Sequence, residues 1–272
     1  MNNVSNGGGT DQAAGLRDIF GSELCHIICI ASTLDHDSTI NLGHGTAHSI
    51  KQHGHKVLLV DEVALADRKT MSGFLYPVRY DLGQVFTNSV DLPRGINQIE
   101  ENFWYATGAK LRSEIGNRFA KYPPLDQRML AYEFHIDYLI YPTVDPQANV
   151  LAFYGSNIKR ILVTSIDQIS LQKAMVMIRQ LASLQLDEVF SVLMVGGEDE
   201  AAGAAAFEKL HEAALSALEQ PLEFMGWIRA FTAERVELDI DDMSFNPVSK
   251  GVKQEFVLPQ GFFKAISAKI TA

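Results

Sequence analysis

Cysteine is almost missing from this chain: there are two among 272 residues, Cys25 and Cys29. A disulfide framework is therefore excluded as the source of stability. The pair sits in one apolar run without CxxC spacing and reads as reduced core cysteines. No apolar stretch approaches the roughly 20 residues that a membrane helix needs. Basic residues are outnumbered, 23 Lys and Arg against 33 Asp and Glu, for a formal net charge of −10. That balance argues against nucleic acid as a partner, because phosphate contact needs a surplus of cations on some face. The opening MNNVSNGGGT lacks the basic-then-apolar order of a signal peptide and reads as a flexible tail.

What is present suffices for a core. The chain is 47% hydrophobic and 9% aromatic, which excludes disorder as a whole. A chain of this length buries roughly 70–75% of its unfolded surface, so no disulfide or metal staple is required. Residues 11–20 follow as a short helical pattern, with Thr10 or Asp11 as cap and Ala13, Leu16 and Phe20 on one side. Residues 26–31 (HIICIA) form a strand that is fully apolar after its first residue, typical of a sheet covered on both faces. A polar loop over 32–38 leads to a helix ending near His53 and Gly54, the glycine serving as left-handed cap. Residues 56–61 (KVLLVD) form a second buried strand ending in an acid.

This strand–helix–strand opening is a βαβ unit, which implies a right-handed crossover and a parallel sheet. Further strands are expected at 103–106, 138–141, 160–163, 189–195 and 222–225, and helices at 170–184 and 201–218. The alternation predicts a doubly wound α/β fold, mostly parallel and flanked by helices. With no repeat and no linker, the expected organisation is a tail over 1–22 and one domain over 23–272.

The loop after the first strand of such a unit normally carries the ligand, on backbone N–H groups and a helix N-terminus. Several segments here resemble the MinD/ParA branch of P-loop ATPases, and within it the flagellar number regulators FlhG (FleN). They are GHKVLLVD ending at Asp61, DYLI from Asp137, ILVTSIDQIS from Ile161 and PLEFMGWI from Pro221. The resemblance implies a P-loop NTPase-like fold and an ATP site built on the motif GKGGVGKT. Overlaid without gaps, that motif falls on Thr33, Leu34, Asp35, His36, Asp37, Ser38, Thr39 and Ile40.

Each chemical requirement of the motif is missing there. No glycine lets backbone wrap phosphate. Leu34 stands at the signature lysine, Thr39 at the P-loop lysine and Ile40 at the Mg²⁺-holding hydroxyl. Asp35 and Asp37 put negative charge where a triphosphate would lie, and each close like-charge pair costs about 4 kcal/mol at an effective dielectric near 20. The family's DxD reads Asp61-Glu62-Val63, so Val63 replaces the acid that handles the attacking water. Pro142 replaces the Walker B acid, and Val195-Gly196-Gly197 lacks the asparagine usually offered to adenine. The resemblance with these losses implies a degenerate site: no catalytic residues, no cofactor and no bound metal.

Asp35, His36, Asp37, His44, His48, His53 and His55 are dense in potential ligands, and His44 with His48 has the i,i+4 spacing that can hold a metal. No HExxH glutamate accompanies them, and packing or solvation of that helix face is the expected reading. Ser38, His36 and Asp35 are too close in sequence for triad geometry, and the GxSxG elbow is absent.

Residues 11–17 (DQAAGLR) resemble the DQAxxLR element of FlhG-type proteins. That element docks on FlhF, a signal-recognition-type GTPase, and stimulates its hydrolysis. The resemblance implies partner contact through Asp11, Gln12, Ala13, Leu16 and Arg17, with Gln12 nearest the GTP. Residues 259–272 read as a terminal helix with Phe262, Phe263, Ile266 and Ile270 on one stripe, flanked by Lys264 and Lys269. Packing on the core is expected there, with weak or no membrane contact. The expectation is thus a cytoplasmic pseudo-ATPase regulator of flagellar number or placement, recruited to the pole or inner membrane, as a monomer or nucleotide-independent dimer. Two alternatives stand beside it: an active ATPase with an unorthodox phosphate loop, binding ATP and Mg²⁺, and a CpaE-like pilus localisation protein.

Overall fold

In the computed structural model, residues 25–62, 78–115, 122–147, 150–151, 154–155, 158–182 and 189–229 are described. The expected contacts at Asp11, Gln12, Ala13, Leu16 and Arg17 lie outside the described residues, as do Val63 and the stripe at Phe262, Phe263, Ile266 and Ile270.

Strand β1 (His26–Ser32) organises the fold. Its side chains alternate between two cores: Ile27, Cys29 and Ala31 join one cluster, Ile28 and Ile30 the other. A strand apolar on both faces must be covered on both, as the sequence predicts. Helix α1 (His36–Gln52) covers one side, sending Ile40, Leu42, Ala47 and Ile50 into the cluster with Ile28 and Ile30. Helices α6 (Gln168–Ala182) and α7 (Glu200–Leu218) cover the other through Met177, Ile178, Phe207 and Leu210.

The remaining strands are β2 (Val57–Asp61), β3 (Asn97–Glu100), β4 (Phe103–Thr107), β5 (Tyr138–Thr143), β6 (Ile158–Ser165), β7 (Phe190–Val195) and β8 (Leu222–Ile228). Short helices α2 (Leu82–Phe86), α3 (Leu92–Gly95), α4 (Leu111–Ile115) and α5 (Leu125–Ala131) lie between β2 and β5. The sheet runs β3-β4-β2-β5-β1-β6-β7-β8, parallel throughout except for the antiparallel β3–β4 pair at one edge. The doubly wound, mostly parallel α/β fold is thus observed, with β3 and the four short helices as additions. Strand β3 reads NQIE, too short and polar to announce itself, and pairs as an edge hairpin on β4.

Strand order places the site. β1 lies between β5 and β6, so successive crossovers leave it in opposite directions and a crevice opens beyond its carboxyl end. Helix α1 packs against β5 at a close approach. A Cβ on Gly43 would lie 2.6 Å from Cγ of Pro142, so only glycine fits beneath that proline ring. Proline inside a central strand removes a ladder donor. The β2–β5 register ends at Ile140, two residues earlier. Cys25 and Cys29 are free and buried, and burial pushes both thiols far above their ordinary range, which keeps them unreactive.

Candidate functional site

The turn from β1 into α1 is only Thr33, Leu34 and Asp35. Each of these residues is engaged. Thr33 donates its N–H to the carbonyl of Val163 at 3.0 Å and its hydroxyl to Thr164 Oγ1 at 3.0 Å. Leu34 N–H donates to Ser32 Oγ at 3.1 Å. Asp35 is the N-cap of α1, and its Oδ1 accepts from Ser38 N–H at 2.7 Å. Thr39 N–H and Thr39 Oγ1 both donate to the Asp35 carbonyl, at 3.0 and 2.7 Å. The polar loop expected over 32–38 is therefore shorter: the helix begins at His36, because an aspartate satisfies the orphan amide that a longer loop would leave open.

Other residues of the overlaid motif are dispersed. His36 is exposed, Asp37 lies in the first helical turn, and Ile40 is buried in the α1-side core. Asp61, fully buried at the end of β2, accepts a hydrogen bond from the Tyr105 hydroxyl at 2.7 Å. Pro142 is fixed against Gly43. At the end of β7, Gly196 and Gly197 adopt φ of 89° and 91°, and Trp227 donates its indole N–H to the Gly196 carbonyl.

Beneath the α1 turn lies a knot that sequence reasoning missed. Arg112, on α4, donates to Glu62 Oε2 at 2.8 Å, to Asp145 Oδ2 at 2.9 Å and to the Asp145 carbonyl at 2.6 Å. Its Nη2 also lies 3.3 Å from the Tyr141 hydroxyl, which accepts. Burial raises the Glu62 carboxyl above the usual carboxylate range, against the opposing pull of Arg112 and Tyr141. Burial alone would lower the Arg112 guanidinium, but Glu62 and Tyr141 outweigh it and hold the group charged. Glu62 was visible in the sequence beside Asp61, whereas Arg112 stands 50 residues away with no pattern to mark it.

The histidines do not converge. His44 and His48 stack at 6.1 Å on α1, with His44 edge-on to Phe103 at 5.6 Å. Burial, aided by His48, lowers His44 to about 4. His53 Nδ1 lies 2.8 Å from the Ser49 carbonyl, and His55 faces Asp137 at 3.8 Å. Among the described residues no group of three or more His, Cys, Asp or Glu is arranged to hold a metal ion.

Two cavities meet at the α1 turn. The outer, about 480 Å³, is lined by Leu34, Val144, Val176 and Met177 together with Asp35, Asp37, Asp145 and Lys173. The inner, about 200 Å³, reaches Thr39, Asp61, Glu62 and Arg112. His36, Val144 and Asp145 line both. The crevice thus combines aliphatic walls with an excess of carboxylate. What it offers is charge, held in a partly dry setting where charge acts strongly.

No family model and no curated protein matches the chain. Solved structures do. The MinC:MinD cell division protein complex of Aquifex aeolicus matches at 15% identity and TM-score 0.54, over 76% of this chain and 82% of that one. A Cyanothece McdA variant in complex with ATP matches at 12% identity and TM-score 0.57, over 77% and 85%. A plasmid partition protein from Borrelia burgdorferi matches at 14% identity and TM-score 0.51, over 77% and 92%. The likeness is one of fold.

Proposed function

With the fold of the MinD/ParA-type P-loop ATPases as its premise, we propose that this chain is a non-catalytic regulator, a pseudo-ATPase that works through protein contacts. The observation that carries the reading is the Asp35 carboxylate seated on the amide of Ser38. In a phosphate loop that helix end faces the nucleotide, whose oxygens accept from backbone N–H groups. Here a fixed anion already sits on it, and the turn has three residues and no glycine. A triphosphate would meet Asp35 and Asp37 without a lysine at Leu34 or Thr39 to neutralise it.

Other features point the same way. Pro142 replaces an acid and is locked against Gly43. Ile40 replaces the Mg²⁺-holding hydroxyl and is buried in the core. The flagellar assignment rests on the DQAxxLR resemblance at Asp11, Gln12, Ala13, Leu16 and Arg17. In this reading the chain binds an FlhF-type GTPase, acts in the cytoplasm near the pole, and needs no nucleotide to be a monomer or dimer.

Calorimetry of the full chain with Mg-ATP tests the first part: no heat of binding is expected, and a micromolar dissociation constant overturns it in favour of an active ATPase. Stimulation of the cognate FlhF-type GTPase tests the second. It should vanish in Gln12→Ala, and an unchanged rate removes that site assignment.

A further inference from the structure

The inner cavity contains an acid, Glu62, that Arg112, Tyr141 and Thr143 engage and one of whose oxygens still has no partner. Glu62 has 11% of its side chain exposed. Arg112 takes its Oε2, and Oε1 is buried with no hydrogen-bond partner. A carboxylate oxygen left dry and unpaired is costly, so such an atom points to a donor that is supplied from outside.

Around it the crevice carries Asp35, Asp37, Asp61 and Asp145 against the two cations Arg112 and Lys173. The adjoining outer cavity has aliphatic walls: Leu34, Val144, Val176 and Met177. Met177 is buried, but Val176 is 57% exposed, an apolar side chain left at the mouth. A donor with positive charge fits the inner end, and a hydrocarbon stem fits the outer.

We infer that this crevice binds an aliphatic ammonium or guanidinium group, its cation donating to Glu62 Oε1 and its stem lying along Leu34, Val176 and Met177. The inference rests on the non-catalytic reading, which leaves this space without a polyphosphate. It goes further by giving the crevice a ligand of opposite charge. The group has two sources, a free amine such as a polyamine or a basic side chain of a partner protein. Both satisfy the same atoms.

The test is titration calorimetry on the full chain with four probes: agmatine, spermidine, N-acetyl-leucyl-arginyl-leucinamide and Mg-ATP. At least one cationic probe should bind, and Glu62→Gln should weaken it tenfold or more. Val176→Lys, placed at the exposed mouth, should weaken it several-fold without changing the circular dichroism spectrum or Tm. This second variant keeps the test open if Glu62→Gln fails to fold. Binding of free agmatine or spermidine assigns the small-molecule source, and binding of the peptide alone assigns the side chain. If no cationic probe binds, or the binding is untouched by both substitutions, the inference is overturned while the non-catalytic reading stands. Binding of Mg-ATP overturns both.

Discussion

The turn after β1 and the turns after β6 and β7 are built alike. Each feeds a helix whose third amide is capped by an aspartate: Asp35 accepts from Ser38 N–H at 2.7 Å, Asp167 from Ser170 N–H at 2.9 Å, and Asp199 from Ala202 N–H at 2.8 Å. In a nucleotide-binding member of this fold the first of these turns would be unlike its neighbours, because it alone must leave its amides open for phosphate. Here it is capped in the same way as the other two. What distinguishes the β1 side lies one layer deeper, in the Glu62–Arg112–Asp145 knot and in the contact of α1 with Pro142.

Four experiments break or sharpen that comparison. Arg112→Met strikes the distinctive layer and should have the largest effect. It leaves Glu62 buried beside Asp145 without its cation, and a loss of about 3 kcal/mol is expected in urea unfolding, the low end of the range because Arg112 is 28% exposed. A change under 0.5 kcal/mol would show that the knot is structurally idle.

Acid should expose a second feature of the β1 side, a histidine of α1 whose proton affinity burial lowers. Burial holds His44 near 4 in the fold, against an ordinary histidine value of 6.5. Below 6.5 the unfolded chain takes up a proton that the folded chain refuses. Stability from this group is therefore full above pH 6.5 and is lost as the pH falls towards about 4, by about 3 kcal/mol at most. Chemical unfolding of His44→Phe at several pH values should show a shallower fall over that window, and an identical slope would remove the assignment.

The third comparison is between glycines. Gly43 on α1 lies against Pro142, and a Cβ on Gly203 of α7 would lie 2.4 Å from Trp227 Cδ1. Gly43→Ala and Gly203→Ala should each cost about 1–3 kcal/mol through overpacking. Gly43→Ala combined with Pro142→Ala should recover part of the loss, and strict additivity would place the strain elsewhere. The smallest effects belong to the caps. Asp35→Ala, Asp167→Ala and Asp199→Ala should each lose about 1 kcal/mol in thermal unfolding. Mutual agreement within error is expected, and stabilisation by Asp35→Ala alone would mean that the β1 turn is a strained special case after all.

The reach of the sequence can be judged residue by residue. HIICIA announced a strand covered on both faces, because every position from Ile27 to Ala31 must find apolar neighbours. Gly54 announced the end of α1 and takes φ of 87°. Helix α1 starts at His36, earlier than its polar composition suggests, although Asp35 three residues before Ser38 carries an N-cap signature. Polar composition masked it. The α2 start at Asp81 and Gln84, a capping box over a five-residue helix, was also legible in principle but too short for periodicity. The Arg112 contacts were not legible at all. They depend on α4, β2 and the segment after β5 meeting in space, which no local pattern encodes.

The proline ring over Gly43 bears on any attempt to give this scaffold a nucleotide. Replacing Pro142 by an acid removes the ring that fills the hollow above the glycine, so the helix loses its seat at the same stroke as the strand gains a carboxylate. Lengthening the β1 turn discards the Asp35 cap before any phosphate arrives to replace it. Under the non-catalytic reading each single step costs stability before any binding is gained, so a designer would change turn, strand and helix together.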